Sequence, residues 1–175
     1  SIAKDSSGNI YIAGITFGAF PGQTYYGGIS DAFLKKYSPA GSDLWTLQFG
    51  TSGMDMLLSV AIDSAGNIYV AGFTDGIFPG QSKFGSWDAF LRKYSSEGRE
   101  IWTRQFGSAR GAGAVAVAID SSGNIYLSGF VDGVLPGAID SGSEDVFIRK
   151  YNPEGAELWT RQFGTIRIDE PSSMA

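Results

Sequence analysis

The chain has 175 residues, of which 43% are hydrophobic and 14% aromatic, and 25 are glycine. This composition is typical of short strands joined by tight turns, and the length is sufficient for one domain with a core. The formal charge of −5 disfavours a nucleic-acid partner, no apolar run is long enough to span a membrane, and the absence of cysteine and histidine removes disulfides, thiolate zinc sites and the commonest general base.

A ten-residue phrase occurs three times along the chain, beginning at Asp5, Asp63 and Asp120. Each copy reads Asp-Ser-x-Gly-Asn-Ile-Tyr, followed by an aliphatic residue, a small residue and glycine. The starts lie 58 and then 57 residues apart, and self-similarity at a nearly fixed period is the signature of a repeat architecture.

The second copy shows the predicted elements in chain order. Residues 57–63 form strand one, 68–73 strand two, 87–94 strand three and 100–107 strand four. Between the first two strands lies the Asp-x-x-Gly-Asn turn, in which Gly66 is expected to supply the positive φ that closes the hairpin. Four strands in meander order are the unit of a β-propeller blade.

Both faces of the predicted strands are apolar. Ile68 and Val70 lie on one side of strand two, and Tyr69, Ala71 and Phe73 lie on the other. A sheet that is apolar on both faces must be covered on both, as a blade is by its two neighbours, whereas a sandwich needs one polar face per sheet. The predicted fold is therefore all-β, a β-propeller of four-stranded antiparallel meander blades, with three blades in this chain.

The recurring residues resemble the bacterial SBBP-type β-propeller repeat. The shared pattern is the ten-residue phrase, then Phe-Pro-Gly, then Asp-Ala-Phe-Leu-x-Lys-Tyr, then Gly-x-x-[Leu/Ile]-Trp, and it covers nearly the whole chain. The resemblance implies tandem blades in bacterial extracellular or cell-surface proteins, mostly of unknown activity. It implies no ligand, because a fold does not determine a function.

The repeats span about 1–56, 57–113 and 114–170, and residues 171–175 are expected to begin a fourth within one propeller segment, 1–175. Three blades are fewer than the four to eight of a closed propeller. Two explanations stay open. The chain is a piece of a longer protein, which the start in mid-repeat without Met favours, or two copies form a homodimer that closes a six-bladed ring.

Two sets of segments differ among the three copies. They are the connections between strands two and three (23–29, 81–87 and 138–144) and the links between blades (51–55, 108–112 and 165–169). In an up-down meander both sets emerge at the same end of every blade. We expect this variable face to recognise a partner, since loops on a rigid scaffold commonly carry function; the alternative is that the loops vary because little constrains them.

Eight residues of the variable face are candidate ligand contacts. They comprise four aromatic and four charged side chains: Tyr25, Tyr26, Phe84, Trp87, Asp140, Glu144, Arg110 and Arg167. Aromatic rings give flat apolar area for stacking on sugars. The alternative for the aromatic residues is that they cover the blade rim and pack on Pro21 and Pro79. The acidic set that ends at Asp145 does not have the spacing of a calcium-binding loop, and no metal site is predicted.

Other recurring residues are expected to be structural. The tryptophan of strand four is expected to pack between blades, at Trp45, Trp102 and Trp159. The aspartate that opens strand three is expected to accept backbone hydrogen bonds rather than to form a cation-binding ring, at Asp31, Asp88 and Asp145. The basic pairs within strand three are expected to bind acidic neighbours or to face solvent, at Lys35-Lys36, Arg92-Lys93 and Arg149-Lys150.

No residue cluster specifies a reaction. The chain has no Gly-x-Ser-x-Gly elbow, and near-identical blades offer the same acid from each, unlike the asymmetric carboxylate pair of a glycosidase. The favoured function is a non-enzymatic, cofactor-free module that binds a glycan or a protein outside the cell, with no nucleic-acid partner and no membrane insertion. The alternative is a structural spacer of a large surface protein, and a propeller glycosidase fragment is the least favoured class.

Overall fold

The computed structural model describes residues 1–139 and 141–173, which form twelve strands in three sheets. The first sheet contains β1 (Ile2–Lys4), β2 (Ile10–Thr16), β3 (Asp31–Tyr37) and β4 (Asp43–Phe49). The second contains β5 (Asp55–Ile62), β6 (Ile68–Thr74), β7 (Asp88–Tyr94) and β8 (Glu100–Phe106). The third contains β9 (Gly111–Ile119), β10 (Ile125–Asp132), β11 (Glu144–Tyr151) and β12 (Glu157–Phe163). These residues include no helix that is long and apolar enough to cross a membrane.

Each sheet is an antiparallel meander, because every strand pairs with its neighbours in sequence. The predicted β-propeller fold is confirmed, and we call the three sheets blades 1, 2 and 3. Strands β5 and β9 begin at Asp55 and Gly111, two or three residues before the repeat boundaries at 57 and 114.

The turn between the first two strands of each blade is held by its aspartate. In blade 2 the Asp63 carboxylate accepts the backbone N–H of Asn67 at 2.8 Å, the Asn67 side-chain amide at 2.8 Å and the Tyr69 hydroxyl at 3.2 Å. Gly66 has φ +83° and donates its N–H to the Asp63 carbonyl. The predicted positive φ is therefore confirmed, in a conformation that favours glycine over residues with a Cβ.

Blade 2 is covered on both faces. Ile68 and Val70 lie in a buried cluster with side chains of blade 1, such as Tyr11 and Phe49. Tyr69 and its face-sharing neighbours lie in a second cluster with side chains of blade 3. We call these contacts the first joint, between blades 1 and 2, and the second joint, between blades 2 and 3. The prediction of a sheet apolar on both faces is confirmed.

The first strands of the blades approach a common axis. A cavity of about 370 Å³ is lined by Ser1 and Ile2, by residues 58–60 and 115–117, and by Ser172 and Ser173. Across the strands the Ser1 hydroxyl accepts the Val60 N–H at 3.3 Å. The opposite edge of each blade, formed by β4, β8 and β12, is therefore the outer rim.

Candidate functional site: the rim clefts between blades

The variable segments do lie together at one end of the blades, as predicted. The Ser86 N–H donates to the Arg110 carbonyl and the Ala112 N–H to the Trp87 carbonyl, each at 3.1 Å. These bonds join a loop of blade 2 to the link that leads into blade 3. The recognition of a partner by this face stays a prediction.

The four aromatic candidates do not form one platform. The Tyr25 hydroxyl donates to the Gly28 carbonyl at 3.0 Å, within its own loop. Trp87 covers Gly111, where an added Cβ would meet the indole at 2.6 Å. Tyr26 and Phe84 are exposed at equivalent places on the outer side of the first and second joints. Tyr26 and Phe84 each border a cleft between blades.

The charged candidates are also dispersed. The Arg110 guanidinium pairs with Asp132 at 2.8 Å, and the Arg167 N–H donates to the Thr165 hydroxyl at 3.2 Å. Burial raises the pKa of Glu144, and the nearby carboxylate of Glu170 raises it further. Asp140 lies outside the described residues. In the described part of the chain, no group of three or more acidic side chains is arranged to hold a metal ion.

One cleft that borders a candidate residue, Phe84, runs along the rim of the second joint. It has a volume of about 460 Å³, within the range of ligand sites. Its walls combine apolar, cationic and acidic side chains from two blades: Phe84, Arg104 and Phe106 of blade 2, and Pro136, Arg149, Tyr151 and Glu157 of blade 3. We call it the second rim cleft.

A smaller cleft of about 160 Å³ occupies the equivalent place at the first joint. Its walls carry the same kinds of side chain: Tyr26 and Phe49 of blade 1, and Phe78, Pro79, Arg92 and Glu100 of blade 2. We call it the first rim cleft. Tyr26 lines the first rim cleft together with Pro79, and Phe84 lines the second rim cleft together with Pro136 of the next blade.

A buried arginine forms the floor of each rim cleft. The guanidinium of Arg149 lies 3.9 Å from the ring centroid of Phe106, and that of Arg92 lies 4.5 Å from the ring of Phe49. Arg149 also donates to the Thr160 hydroxyl at 2.7 Å. Cation–π contacts of desolvated guanidinium groups are favourable by about 2 kcal/mol. Each arginine therefore fastens one blade to the ring of the preceding blade.

A half-exposed glutamate completes each arginine site. Glu157 lies 3.3 Å from the guanidinium of Arg149, and Glu100 pairs with Arg92. The predicted pairing of these basic residues with acidic neighbours is confirmed, but both arginines are only 5% exposed and do not face solvent. The outward side of each carboxylate is available to a ligand in the cleft.

The aspartate that opens strand three accepts hydrogen bonds in every blade, which confirms its predicted structural role. The carboxylate of Asp88 accepts the N–H groups of Phe84 and Gly85 at 3.0 and 2.9 Å, and the Gln105 side chain at 2.8 Å. The equivalent Asp31 and Asp145 each accept one backbone N–H and one glutamine amide.

Two of the three strand-four tryptophans, Trp45 and Trp102, pack between blades as predicted. An added Cβ at Gly155 of blade 3 would lie 2.9 Å from the indole of Trp102, and one at Gly98 of blade 2 would lie 3.7 Å from the indole of Trp45. Each indole thus packs on the last hairpin of the next blade. The third, Trp159, meets the Tyr126 ring edge-on within blade 3.

The sequence reading missed the arginine, the glutamate and the strand-four phenylalanine of the rim clefts. The burial of Arg92 and Arg149 could have been predicted from their position. Each recurs at the same place among the hydrophobic residues of a strand that is covered on both faces. The signal for Phe49 and Phe106 was weaker, because a phenylalanine at a strand end is equally consistent with simple core packing.

Comparisons with known proteins agree with the fold. Residues 44–79 match the family model SBBP, described as a beta-propeller repeat. The chain is 29% identical to the regulatory protein FlaEY of Caulobacter vibrioides over 97% of the chain and 20% of that protein. It is 28% identical to an uncharacterized WD repeat-containing protein of Acanthamoeba polyphaga mimivirus over 79% of the chain and 12% of that protein. The chain therefore spans about a fifth or less of the length of these relatives.

Proposed function

We propose that this chain, of which residues 44–79 match the SBBP beta-propeller repeat, is a non-enzymatic module that binds a neutral glycan in its rim clefts. The setting we propose is a bacterial extracellular or cell-surface protein. The main support for the proposal is that the same kinds of side chain line a cleft at both joints.

The recurrence is specific to residue type and place. An aromatic ring of the variable loop borders each cleft: Tyr26 at the first and Phe84 at the second. The following blade contributes a proline and an Arg–Glu pair to the walls of each cleft. Structural packing alone requires the buried arginine and phenylalanine. It does not require an exposed ring beside a half-exposed carboxylate.

The chemistry of the second rim cleft suits a sugar. A pyranose ring has an apolar face that stacks on an aromatic side chain, and hydroxyl groups that donate to carboxylates. Phe84 offers the ring, and Glu157 offers carboxylate oxygens held by Arg149 and by the Thr160 hydroxyl. The acidic net charge of the chain favours a neutral glycan over an anionic one.

The relatives support a repeat module more than an enzyme. One is named as a regulatory protein and the other as a WD repeat-containing protein, and neither name states a reaction. The carboxylates of the rim clefts are paired with arginines and accept hydrogen bonds from the hydroxyl groups of Thr103 and Thr160, an arrangement that supports a binding role.

A panel of neutral plant and bacterial oligosaccharides, titrated by calorimetry, tests this function. We expect saturable binding of at least one member, and Phe84→Ala is expected to weaken it about tenfold because the stacking ring is lost. The matched control is Phe17→Ala, since Phe17 is an exposed phenylalanine that borders neither rim cleft.

Three results would count against glycan binding in the rim clefts. Equal losses from Phe84→Ala and Phe17→Ala would place the ligand elsewhere. No saturable binding by any oligosaccharide would favour the structural spacer, and a protein retained instead by the same cleft residues would identify the module as a protein binder.

A further inference from the structure

Two buried carboxylates from different blades face each other at the first joint. Asp31 is the first residue of β3 in blade 1, Asp55 is the first residue of β5 in blade 2, and both are fully buried. Oδ1 of Asp31 and Oδ2 of Asp55 each lie 2.8 Å from the position that a Cβ on Gly50 would take. The pair is therefore separated by a glycine, which places no side chain between the two carboxylates.

One oxygen of this pair has no partner. Oδ2 of Asp31 accepts the Tyr26 N–H at 2.8 Å and the Gln48 side-chain amide at 2.7 Å. Oδ1 of Asp31 is buried and has no hydrogen-bond partner in the described part of the chain. The ion pairs among the described residues include neither Asp31 nor Asp55. Because a buried charge without a partner is costly, the pair requires a positive charge from outside this set of residues.

The second joint provides an internal comparison. Asp88 is the equivalent of Asp31, and Ala112 stands at the position of Asp55. Oδ1 of Asp88 accepts the Gly85 N–H at 2.9 Å. Where the second carboxylate is replaced by alanine, the first carboxylate thus has a partner for each of its oxygens.

A second aspartate pair has the same unpartnered oxygen. Oδ1 of Asp145 and Oδ2 of Asp169 both lie within 3.0 Å of the position that a Cβ on Gly164 would take. Oδ1 of Asp145 is buried and without a hydrogen-bond partner among the residues described. An unpartnered Oδ1 therefore accompanies a facing aspartate in both examples, and it is absent at Asp88, where the facing residue is alanine.

We propose that the Asp31–Asp55 pair binds one divalent cation of the calcium type, which joins blade 1 to blade 2. Calcium prefers carboxylate and other oxygen ligands, accepts irregular geometry and forms bonds of about 2.3–2.6 Å. Its two charges match those of the two carboxylates. The site is independent of any ligand in the rim clefts.

Two threonine hydroxyls extend the oxygen-rich surroundings of Asp55. Oγ1 of Thr51 lies 3.1 Å from Oδ2 of Asp55 and 3.4 Å from Oγ1 of Thr74. Thr74 is fully buried and Thr51 is 8% exposed. Hydroxyl oxygens are hard donors like the carboxylates, so they suit the same class of cation.

The calcium content of the refolded chain tests the site. The parent and its variants are unfolded in urea with EDTA, refolded, and dialysed against about 5 mM CaCl2, which exceeds the dissociation constants of weak calcium sites in proteins. About 150 mM NaCl is included to screen weak binding to surface charges. Atomic emission then compares calcium in the protein sample with calcium in the dialysate.

Asp31→Asn and Asp55→Asn each remove one charge of the pair and keep the shape of the side chain. Asp88→Asn is the matched control, because Asp88 holds the position of Asp31 at the joint that lacks the second carboxylate. Circular dichroism shows whether each variant is folded.

We expect Asp31→Asn and Asp55→Asn to bind one calcium ion per chain fewer than the parent, and Asp88→Asn to bind as many as the parent. Relative to EDTA, calcium is expected to raise the melting temperature of the parent and of Asp88→Asn by about 3 °C. The increase is expected to be smaller in the other two variants.

Three results would overturn the calcium site. A parent chain with no calcium above the dialysate would assign the pair to a bound proton, which also neutralises one of two facing carboxylates. An unchanged calcium content in folded Asp55→Asn would reject the site whether or not Asp31→Asn folds. An equal loss of calcium in Asp88→Asn would show that the ion responds to the net charge of the chain rather than to the pair.

Discussion

At the scale of single residues, the two joints differ in the number of carboxylates that they bury. Asp31 and Asp55 are fully buried at the first joint, and an added Cβ on Gly50 would lie 2.8 Å from an oxygen of each. The Oδ1 atom of Asp31 has no hydrogen-bond partner among the described residues. At the second joint Ala112 stands at the position of Asp55, and among the described residues Asp88 is the carboxylate buried there.

Burial raises the pKa of Asp55, while hydrogen bonds from Thr74 and Thr51 lower it in part and the charge of Asp31 raises it further. A raised pKa means that the native chain holds the proton more tightly than the unfolded chain. The stabilisation linked to this proton is fully present below the ordinary value of 3.8, and it is lost as the pH rises through the folded pKa.

Asp55→Asn keeps the shape of this side chain and removes its charge. Because asparagine does not titrate, we expect the stability of Asp55→Asn relative to the parent to increase as the pH rises from about 4 to about 7. Urea unfolding at a series of pH values measures the difference.

Asp120→Asn is the control of opposite sign. Hydrogen bonds lower the pKa of Asp120, and the bond from the Asn124 side chain has the largest effect. The stabilisation linked to the ionised Asp120 carboxylate is therefore present at neutral pH and is lost as the pH falls. The relative stability of Asp120→Asn should therefore decrease as the pH rises. Equal slopes for the two variants would refute the assignment of opposite pKa directions.

At the scale of elements, the first hairpin of each blade depends on one aspartate more than on its neighbours. Asp63 accepts four hydrogen bonds within the turn, from Ala65, Asn67 and Tyr69. The same arrangement recurs at Asp5 and Asp120. The repeat phrase therefore encodes a self-contained turn that fixes the register of strands one and two.

Asp63→Ala removes the carboxylate that accepts all four hydrogen bonds, while the donors of Asn67 and Tyr69 stay partly buried. We expect it to lower the free energy of unfolding by about 2 kcal/mol. Ser64→Ala, at the next and more exposed residue of the same turn, is expected to change it by less than about 0.5 kcal/mol. Denaturant unfolding of both variants checks the contrast, and a similar small loss for each would show that the aspartate does not hold the turn.

The hairpins and the two-faced strands could be predicted because their chemistry is local. Gly66 and Asp63 specify a turn through neighbours in sequence, and the alternation of Tyr69 with Val70 already shows two apolar faces. The rim clefts could not be predicted, since Phe84 and Glu157 are far apart in sequence and meet only when two blades pack. The variation among the loops predicted correctly that they lie at one end of the blades. It could not predict that Trp87 and Arg110 lie apart there, because their positions depend on contacts between distant residues.

At the scale of the whole molecule, each pair of blades produces one joint and one rim cleft. The joint is apolar in its middle and is fastened at the rim by an arginine over a phenylalanine. The cleft is therefore a consequence of blade packing, and the loop ring above it is the part that varies, as Tyr26 or Phe84. In a longer array of such blades, each rim cleft would have the same arginine and phenylalanine at its floor and a different loop residue at its edge.

Hydrogen exchange of the chain, free and saturated with the best-binding neutral oligosaccharide of the panel, tests this view most directly. We expect protection of backbone amides that border the second rim cleft, near Phe84 and near residues 155–157, with no change in the links 108–110 and 165–168. Protection confined to those links would place recognition at the links between blades rather than in the rim clefts, and would contradict this view.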